Sequence, residues 1–244
     1  MKRVAYDDDR RYIFAQQEAG ALKTLRRTNQ SHIFFIIADL DPAYHEAAQE
    51  LEFSQEADGY ARAFPADTPH LDLIYNSFAR AAEEMILQTA RAHPVPWEDT
   101  LLRLLERVDG NDIQWYLGGS AALAARGLGI QPRDFDMIVA NEDAQRLGHL
   151  LLDDLIEPVV PVENWFCNWF GRAFLGARVE WVGGVDERAD TPLITDFGPS
   201  AAARLETITW RGYTLQVPPL DLQLAVSERR GLTERVTKIR QALQ

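Results

Sequence analysis

Asp134 and Asp136 sit either side of Phe135 in the run Arg133-Asp134-Phe135-Asp136-Met137-Ile138-Val139. Residues two apart on a strand project from one face, so both carboxylates share a face while Phe135 points into a core. Like charges so close repel, and Asp is a poor strand former, so the pair calls for a compensating positive charge. A divalent cation is such a charge. Hard oxygen ligands suit Mg²⁺, which keeps several waters and completes its octahedron with phosphate oxygens. The competing reading is a strand end open to solvent, where two carboxylates cost little.

Upstream, Trp115-Tyr116-Leu117 leads into Gly118-Gly119-Ser120 and then Ala121-Ala122-Leu123. An apolar strand that delivers two glycines and a serine into a helix lets the backbone approach a ligand closely, because glycine carries no Cβ. The helix N-terminus would present unpaired N–H groups, and Ser120 a hydroxyl, to an anion. Taken alone, the glycine pair reads equally well as a tight turn. A third acid is sought on a later strand. Glu180 lies in the middle of Arg178-Val179-Glu180-Trp181-Val182, with Val179 and Trp181 on the opposite face, and is the leading candidate. Asp186, past Gly183-Gly184, is the runner-up. A salt bridge between Glu180 and a neighbouring arginine is the alternative role.

These residues need elements to hold them. The chain has 244 residues, 46% of them apolar and 25% charged, which describes an ordinary globular chain of one large or two small domains. Asn164 to Phe174 and Arg178 to Val182 read as a hairpin turning at Gly176, and Leu205 to Trp210 with Tyr213 to Val217 as another at Arg211-Gly212. Strands over Ile113–Leu117 and Phe135–Val139 alternate with helices over Ser120–Ala125 and Glu142–Ile156, and helices from about Pro219 and Thr233 close the chain. This mixture predicts an α+β domain, a mixed sheet flanked by helices, over residues 96–244.

Residues 1–95 read as a smaller α/β region. After the acidic run Asp7-Asp8-Asp9, a helix is expected from about Ile13 to Arg27, then a strand at Ser31–Ile37, a helix from Asp41-Pro42 to Phe53 and a strand at Gly59–Pro65. Leu71, Ile74, Phe78, Ala81, Met85 and Thr89 form the stripe of a long amphipathic helix that His93-Pro94-Val95-Pro96 must end. A second helix with Leu101, Leu105 and Val108 on one face completes a helical pair.

An apolar strand, Gly118-Gly119-Ser120, a short helix, Arg133-Asp134-Phe135-Asp136 and a later strand acid together resemble the nucleotidyltransferase superfamily of the DNA polymerase beta type. Within it, the spacing is similar to small bacterial enzymes that adenylylate aminoglycosides and lincosamides, and to abortive-infection toxins. The likeness covers about residues 113 to 240. It implies that Asp134, Asp136 and Glu180 hold two Mg²⁺ ions, that Gly118, Gly119, Ser120 and Arg133 bind the triphosphate, and that an NMP moves from an NTP to a hydroxyl acceptor with release of pyrophosphate. Glutamate departs from the usual aspartate at the third position. The tail Arg229-Arg230-Gly231 to Lys238 is similar to helices whose basic residues reach the nucleotide, and reads equally as a solvated face. Arg126 and Arg133 flank the cradle, with surface pairing as their other role.

Several classes are disfavoured. Thirty-seven acidic against 25 basic residues give a net charge of −12, which argues against nucleic acid as partner unless basic residues cluster on one face. No stretch reaches the about 20 apolar residues of a membrane span. A lone Cys167 and the lack of an apolar signal segment lead to an expectation of a cytoplasmic protein. The five histidines show no ligand spacing. Trp165, Phe166, Trp169, Phe170, Phe174 and Trp181 read either as a core layer or as a shelf for a base or sugar ring. An enzyme is the first expectation; an NTP-binding sensor without turnover and a toxin-type transferase acting on tRNA are the others.

Overall fold

A computed structural model describes residues 11–14 and 22–244, of which the side chains are described from residue 22 onward. The chain divides into two compact units, Met1–Pro94 and Val95–Gln244. The expected helical pair is split by this division, one helix in each unit.

The first unit is a five-stranded sheet in the order β1-β2-β3-β5-β4, formed by β1 (Arg11–Phe14), β2 (Thr24–Thr28), β3 (His32–Ile37), β4 (Ser54–Glu56) and β5 (Gly59–Pro65). All its pairings are antiparallel. Helices α1 (His45–Glu50) and α2 (Leu71–Thr89) belong to the same unit, and Phe35 packs its ring against Tyr75 and Phe78 of α2, each at 5.3 Å between centroids. The helix expected over Ile13–Arg27 is replaced at both ends by strands; residues 15–21 and the Asp7-Asp8-Asp9 run lie outside the described residues. Tertiary pairing overrides the polar, helix-like composition at β2. Arg27 is buried there, its guanidinium 4.2 Å over the Phe34 ring and 2.6 Å from Asp58, with Glu56 as a further partner.

In the second unit the order is α3 (Trp97–Val108), β6 (Trp115–Leu117), α4 (Gly119–Ala125), β7 (Phe135–Val139), α5 (Asp143–Leu150), β8 (Leu155–Pro161), β9 (Trp169–Phe174) and β10 (Arg178–Gly183). There follow α6 (Pro199–Ala202), β11 (Glu206–Trp210), β12 (Tyr213–Val217), α7 (Leu220–Arg229) and α8 (Thr233–Ala242). The main sheet runs β6-β7-β10-β9-β8, with β7 parallel to β10 and every other neighbour antiparallel, a mixed sheet as expected. β11 and β12 form the expected separate hairpin.

The helix expected to run to Ile156 ends at Leu150, and Leu155-Ile156-Glu157-Pro158-Val159-Val160-Pro161 forms β8 instead. Proline cannot sit inside a helix but is accepted on an edge strand, which β8 is. Register shifts on both sides of Glu157 mark the irregularity.

One face of this sheet is sealed by α5. Trp181 is buried there and donates its indole N–H to the Ala144 carbonyl at 3.1 Å. Gly171 makes room for it: a Cβ at that position would stand 2.2 Å from the Trp181 ring. Strand alternation then sends Glu180 to the opposite face. The closing helices are held by Ile239, which packs with Leu123 and Ile130 beside Leu220 and Leu224.

Among the described residues no helix is long and apolar enough to cross a membrane.

Candidate active site

The opposite face of the sheet carries a row of charged side chains in direct cross-strand register. Glu157 on β8 stands opposite Arg172 on β9, Arg172 opposite Glu180 on β10, and Glu180 opposite Asp136 on β7. Directly opposed side chains interact most strongly in a sheet, opposite charges favourably and like charges unfavourably. Arg172 meets Glu157 Oε1 at 2.6 Å and Glu180 Oε1 at 2.5 Å. Arg178, two residues before Glu180 and so on the same face, approaches Glu180 Oε1 at 3.1 Å and donates to Asp134 Oδ2 at 2.6 Å. Glu157, Glu180 and Asp134 are thus each met by a guanidinium.

Among the described residues, Asp136 ends the row without such a partner. Burial of its carboxyl at the floor of a cleft, then the charges of Asp134, Glu180 and Asp196, push its pKa up to about 7. Water still reaches the side chain, because the floor opens into a cavity of about 430 Å³.

The glycine turn abuts this carboxylate. Gly118 N–H donates to the Asp136 carbonyl at 2.7 Å, and Gly119, at φ +56°, begins α4. A Cβ on Gly119 would lie 2.1 Å from Asp136 Oδ2, so only glycine lets the turn pass so close. Gly119→Ala is expected to destabilise the fold by about 2 kcal/mol, from the left-handed backbone alone about 1–2 kcal/mol. Urea unfolding reads this directly, and an unchanged midpoint would show that the turn tolerates a side chain. Gln223 of α7 fixes the turn from behind, donating to the Gly119 carbonyl at 3.1 Å while only 1% exposed.

The structure therefore brings Asp134, Asp136, Glu180, Gly118 and Gly119 together. Ser120 is buried in the first turn of α4, and Arg133 is exposed beside the pair. Asp186 stands apart from the row. It caps the 3₁₀ turn Glu187–Asp190, accepting from the Arg188 N–H at 2.8 Å and pairing with the Arg188 guanidinium at 2.6 Å, which lowers its pKa. Arg126 is committed to Glu206 and the Pro218 carbonyl, at 2.6 and 2.8 Å. Lys238 is bonded to the Gly129 carbonyl and Glu234, both at 2.6 Å.

The cleft also recruits Asp196, which sequence reasoning did not single out, together with residues of the basic tail and the aromatic hairpin. Asp196 lines it, its pKa raised by burial against the lowering pull of Arg230, Arg235 and Arg229. Arg230 and Arg235 form a basic wall, and burial with the neighbouring Arg230 charge lowers the Arg235 pKa. Phe166, Phe170 and the 42% exposed Trp165 also line the cleft, and Trp181 and Cys167 are buried in the core beside it, so the aromatic hairpin serves as both shelf and core. No local pattern announces Asp196, which lies in a loop; Arg230 and Arg235 were visible as part of the basic tail.

Among the described residues no three His, Cys, Asp or Glu side chains are close enough to share a metal ion. Two carboxylates, Asp134 and Asp136, do fit a cation that takes its other ligands from water and phosphate. The unmatched charge of Asp136 is the observation in favour.

The fold is a mixed sheet flanked by helices, and the chain is similar to three solved nucleotidyltransferase-type structures. Over 60% of this chain and 92% of the other, it resembles a Thermotoga maritima protein described as a nucleotidyltransferase, at 17% identity and a TM-score of 0.46. It also resembles ANT(2″)-Ia, solved with adenylyl-2″-tobramycin, at 14% identity and a TM-score of 0.38 over 60% of this chain and 90% of that one. An antigenic nucleotidyltransferase-like protein from Paracoccidioides brasiliensis matches at 16% identity and a TM-score of 0.38, over 60% and 77%. No family model and no curated protein matches the sequence. At these scores the likeness decides nothing about activity; the side chains of the cleft must do that.

Proposed function

We propose that the cleft transfers a nucleoside monophosphate from an NTP to the hydroxyl of an acceptor, releasing pyrophosphate. The observation that carries this reading is the row of charges ending on Asp136, unmatched and pressed against the Gly118-Gly119 turn. Mg²⁺ held by Asp134 and Asp136 would supply charge neutralisation to the phosphates and lower the pKa of the attacking hydroxyl. Gly118 and Gly119 let the triphosphate come close to the backbone, with Ser120 and Arg133 as its flanking residues, and Arg230 and Arg235 offset the charge that remains. The acceptor oxygen bonds to the α-phosphorus as the bond from that phosphorus to the pyrophosphate oxygen breaks. Asp196, held above the ordinary carboxylate range and facing the same cleft, accepts the hydroxyl proton. Trp165, Phe166 and Phe170 offer a flat surface for a base or sugar ring. The acceptor is a hydroxyl-bearing molecule, and the place of action is the cytoplasm.

A second reading, an NTP sensor without turnover, is favoured by one feature: Glu180 is engaged by two arginines. Incubation with each NTP, Mg²⁺ and a panel of acceptors separates them. The expected result is metal-dependent pyrophosphate release that falls at least about 100-fold in Asp134→Ala. Tight NTP binding with no release on any acceptor would establish the sensor. Full activity in Asp134→Ala would remove the carboxylates from the mechanism.

A further inference from the structure

Resting on the nucleotidyl-transfer reading, we infer that the acceptor is an uncharged, hydroxyl-rich ring of sugar type, held in a second cavity that shares a wall with the catalytic cleft. The residues lining this cavity all belong to the second unit, and its volume is about 660 Å³. Small ligands fill cavities of roughly 300–1,000 Å³. A quarter of the chain is charged, and the cleft itself is lined by Asp136, Glu180, Asp196, Arg230 and Arg235. Among the described residues that line the second cavity, none is charged. An ionised ligand would lose hydration there with no counter-charge in return, so the occupant is neutral.

The polar groups of the cavity specify hydroxyls. Gln114, Asn141, Thr214 and Gln216 line it, and an apolar occupant would take them from water without offering a partner. Asn141 Oδ1 accepts from Asn168 Nδ2 at 2.9 Å, and Gln216 Nε2 donates to Thr207 Oγ1 at 3.0 Å. Each amide is held at one end, which leaves the NH2 of Asn141 as a donor and the carbonyl oxygen of Gln216 as an acceptor. A hydroxyl group does both and so answers either. Trp115 and Phe197 add aromatic surface for the C–H face of a ring.

The position suits transfer. Ile138 and Phe197 line both the cavity and the cleft. Ile138 stands two residues after Asp136 on β7, on the same face and about 7 Å along the strand, and Phe197 directly follows Asp196. The shared wall is fixed in place. Tyr116 donates to the Phe197 carbonyl at 2.7 Å, and Asp190 accepts from the Thr195 and Ser200 N–H groups at 2.9 and 2.8 Å. A ring seated over Ile138 therefore needs only one hydroxyl projecting past Phe197 to enter the cleft beside Asp136 and Asp196, and a preformed wall orients it.

Methyl glucoside, its 6-amino-6-deoxy analogue and its 6-carboxylate are probes matched in shape and different in charge. Saturation-transfer NMR reads their binding, and pyrophosphate release with each NTP and Mg²⁺ reads turnover. Methyl glucoside is expected to bind at least about tenfold more tightly than either charged analogue and to stimulate release. Ala202→Phe, which fills the cavity from an exposed position of α6, and the double variant Gln114→Leu with Gln216→Leu should each weaken that binding at least about tenfold. NTP binding in both variants should change less than about twofold, with thermal melts confirming that they fold. No binding of methyl glucoside, equal or tighter binding of a charged analogue, or unchanged binding in either variant would overturn the assignment while leaving nucleotidyl transfer standing. So would methyl glucoside that binds without stimulating release while another acceptor is turned over. Binding that the variants abolish, with no pyrophosphate released on any acceptor, would overturn nucleotidyl transfer and with it the acceptor role.

Discussion

Asp136→Asn is expected to abolish pyrophosphate release and, in the same molecule, to make the metal-free protein more stable at pH 8. The two effects share a cause. Asp136 faces Glu180 across parallel strands and has Asp134 two residues away, while the available guanidiniums bind those neighbours. Burial and these like charges move its pKa from 3.8 to about 7, so the folded chain keeps a proton there that the unfolded chain has already lost. Folding therefore becomes less favourable as pH rises from about 4 to about 7, and the full penalty is present above that window. Asparagine removes the penalty without changing the size of the side chain. Because water in the cleft screens the carboxylate, the gain is about 1–2 kcal/mol at pH 8, shrinking toward zero near pH 4. Thermal melts across this range check it; a variant less stable than wild type at pH 8 would mean that Asp136 is already compensated. An active-site group that costs stability in the absence of its ligand is a familiar trade between stability and activity.

Arg172→Met is expected to act the other way, destabilising the protein by about 3–5 kcal/mol. Arg172 is 5% exposed and shared by Glu157, itself 6% exposed, and Glu180. Methionine matches much of its apolar stem but takes away the counter-charge of the buried Glu157 and of Glu180, which is partly buried in the cleft wall. Breaking a buried pair from one side is costly, whereas replacing both partners with apolar groups of similar size is often neutral. The double variant Arg172→Met with Glu157→Met should therefore recover more than half of the loss. Urea unfolding of the two single variants and the double variant gives the coupling energy, and simple additivity would show that the row is not a connected network.

Much of the site was legible because strand alternation is a strict rule. Asp136 projects from β7, whereas Asp134, expected on the same strand, lies in the bend just before it; Glu180 opposes Trp181 on β10, and Gly118-Gly119 turns into α4, as the spacing required. The arginines were harder to see. Arg178 and Glu180 sit two apart on one strand, which places them on one face, but Arg172 reaches Glu180 only through the register of β9 against β10. Register depends on turn geometry and on the packing of Trp181 over Gly171, neither of which the local sequence states. Glu157 was hidden for a different reason: the periodicity of the preceding helix ran on through Leu151 and Leu155, and only the prolines at 158 and 161 mark an edge strand. At β2, an arginine-rich stretch with little apolar content became a strand because Arg27 found acids and an aromatic ring in distant segments. Asp196 lies in a loop, where sequence carries no period to read.

The most direct test of the account is calorimetric titration of Mg²⁺, with a non-hydrolysable NTP analogue present, into the wild type and Asp136→Asn. The row of charges requires heat of binding in the wild type and none in the variant over the same concentrations. Equal binding by both proteins would contradict the account, because the unmatched carboxylate at the end of the row would then have no part in holding the ion.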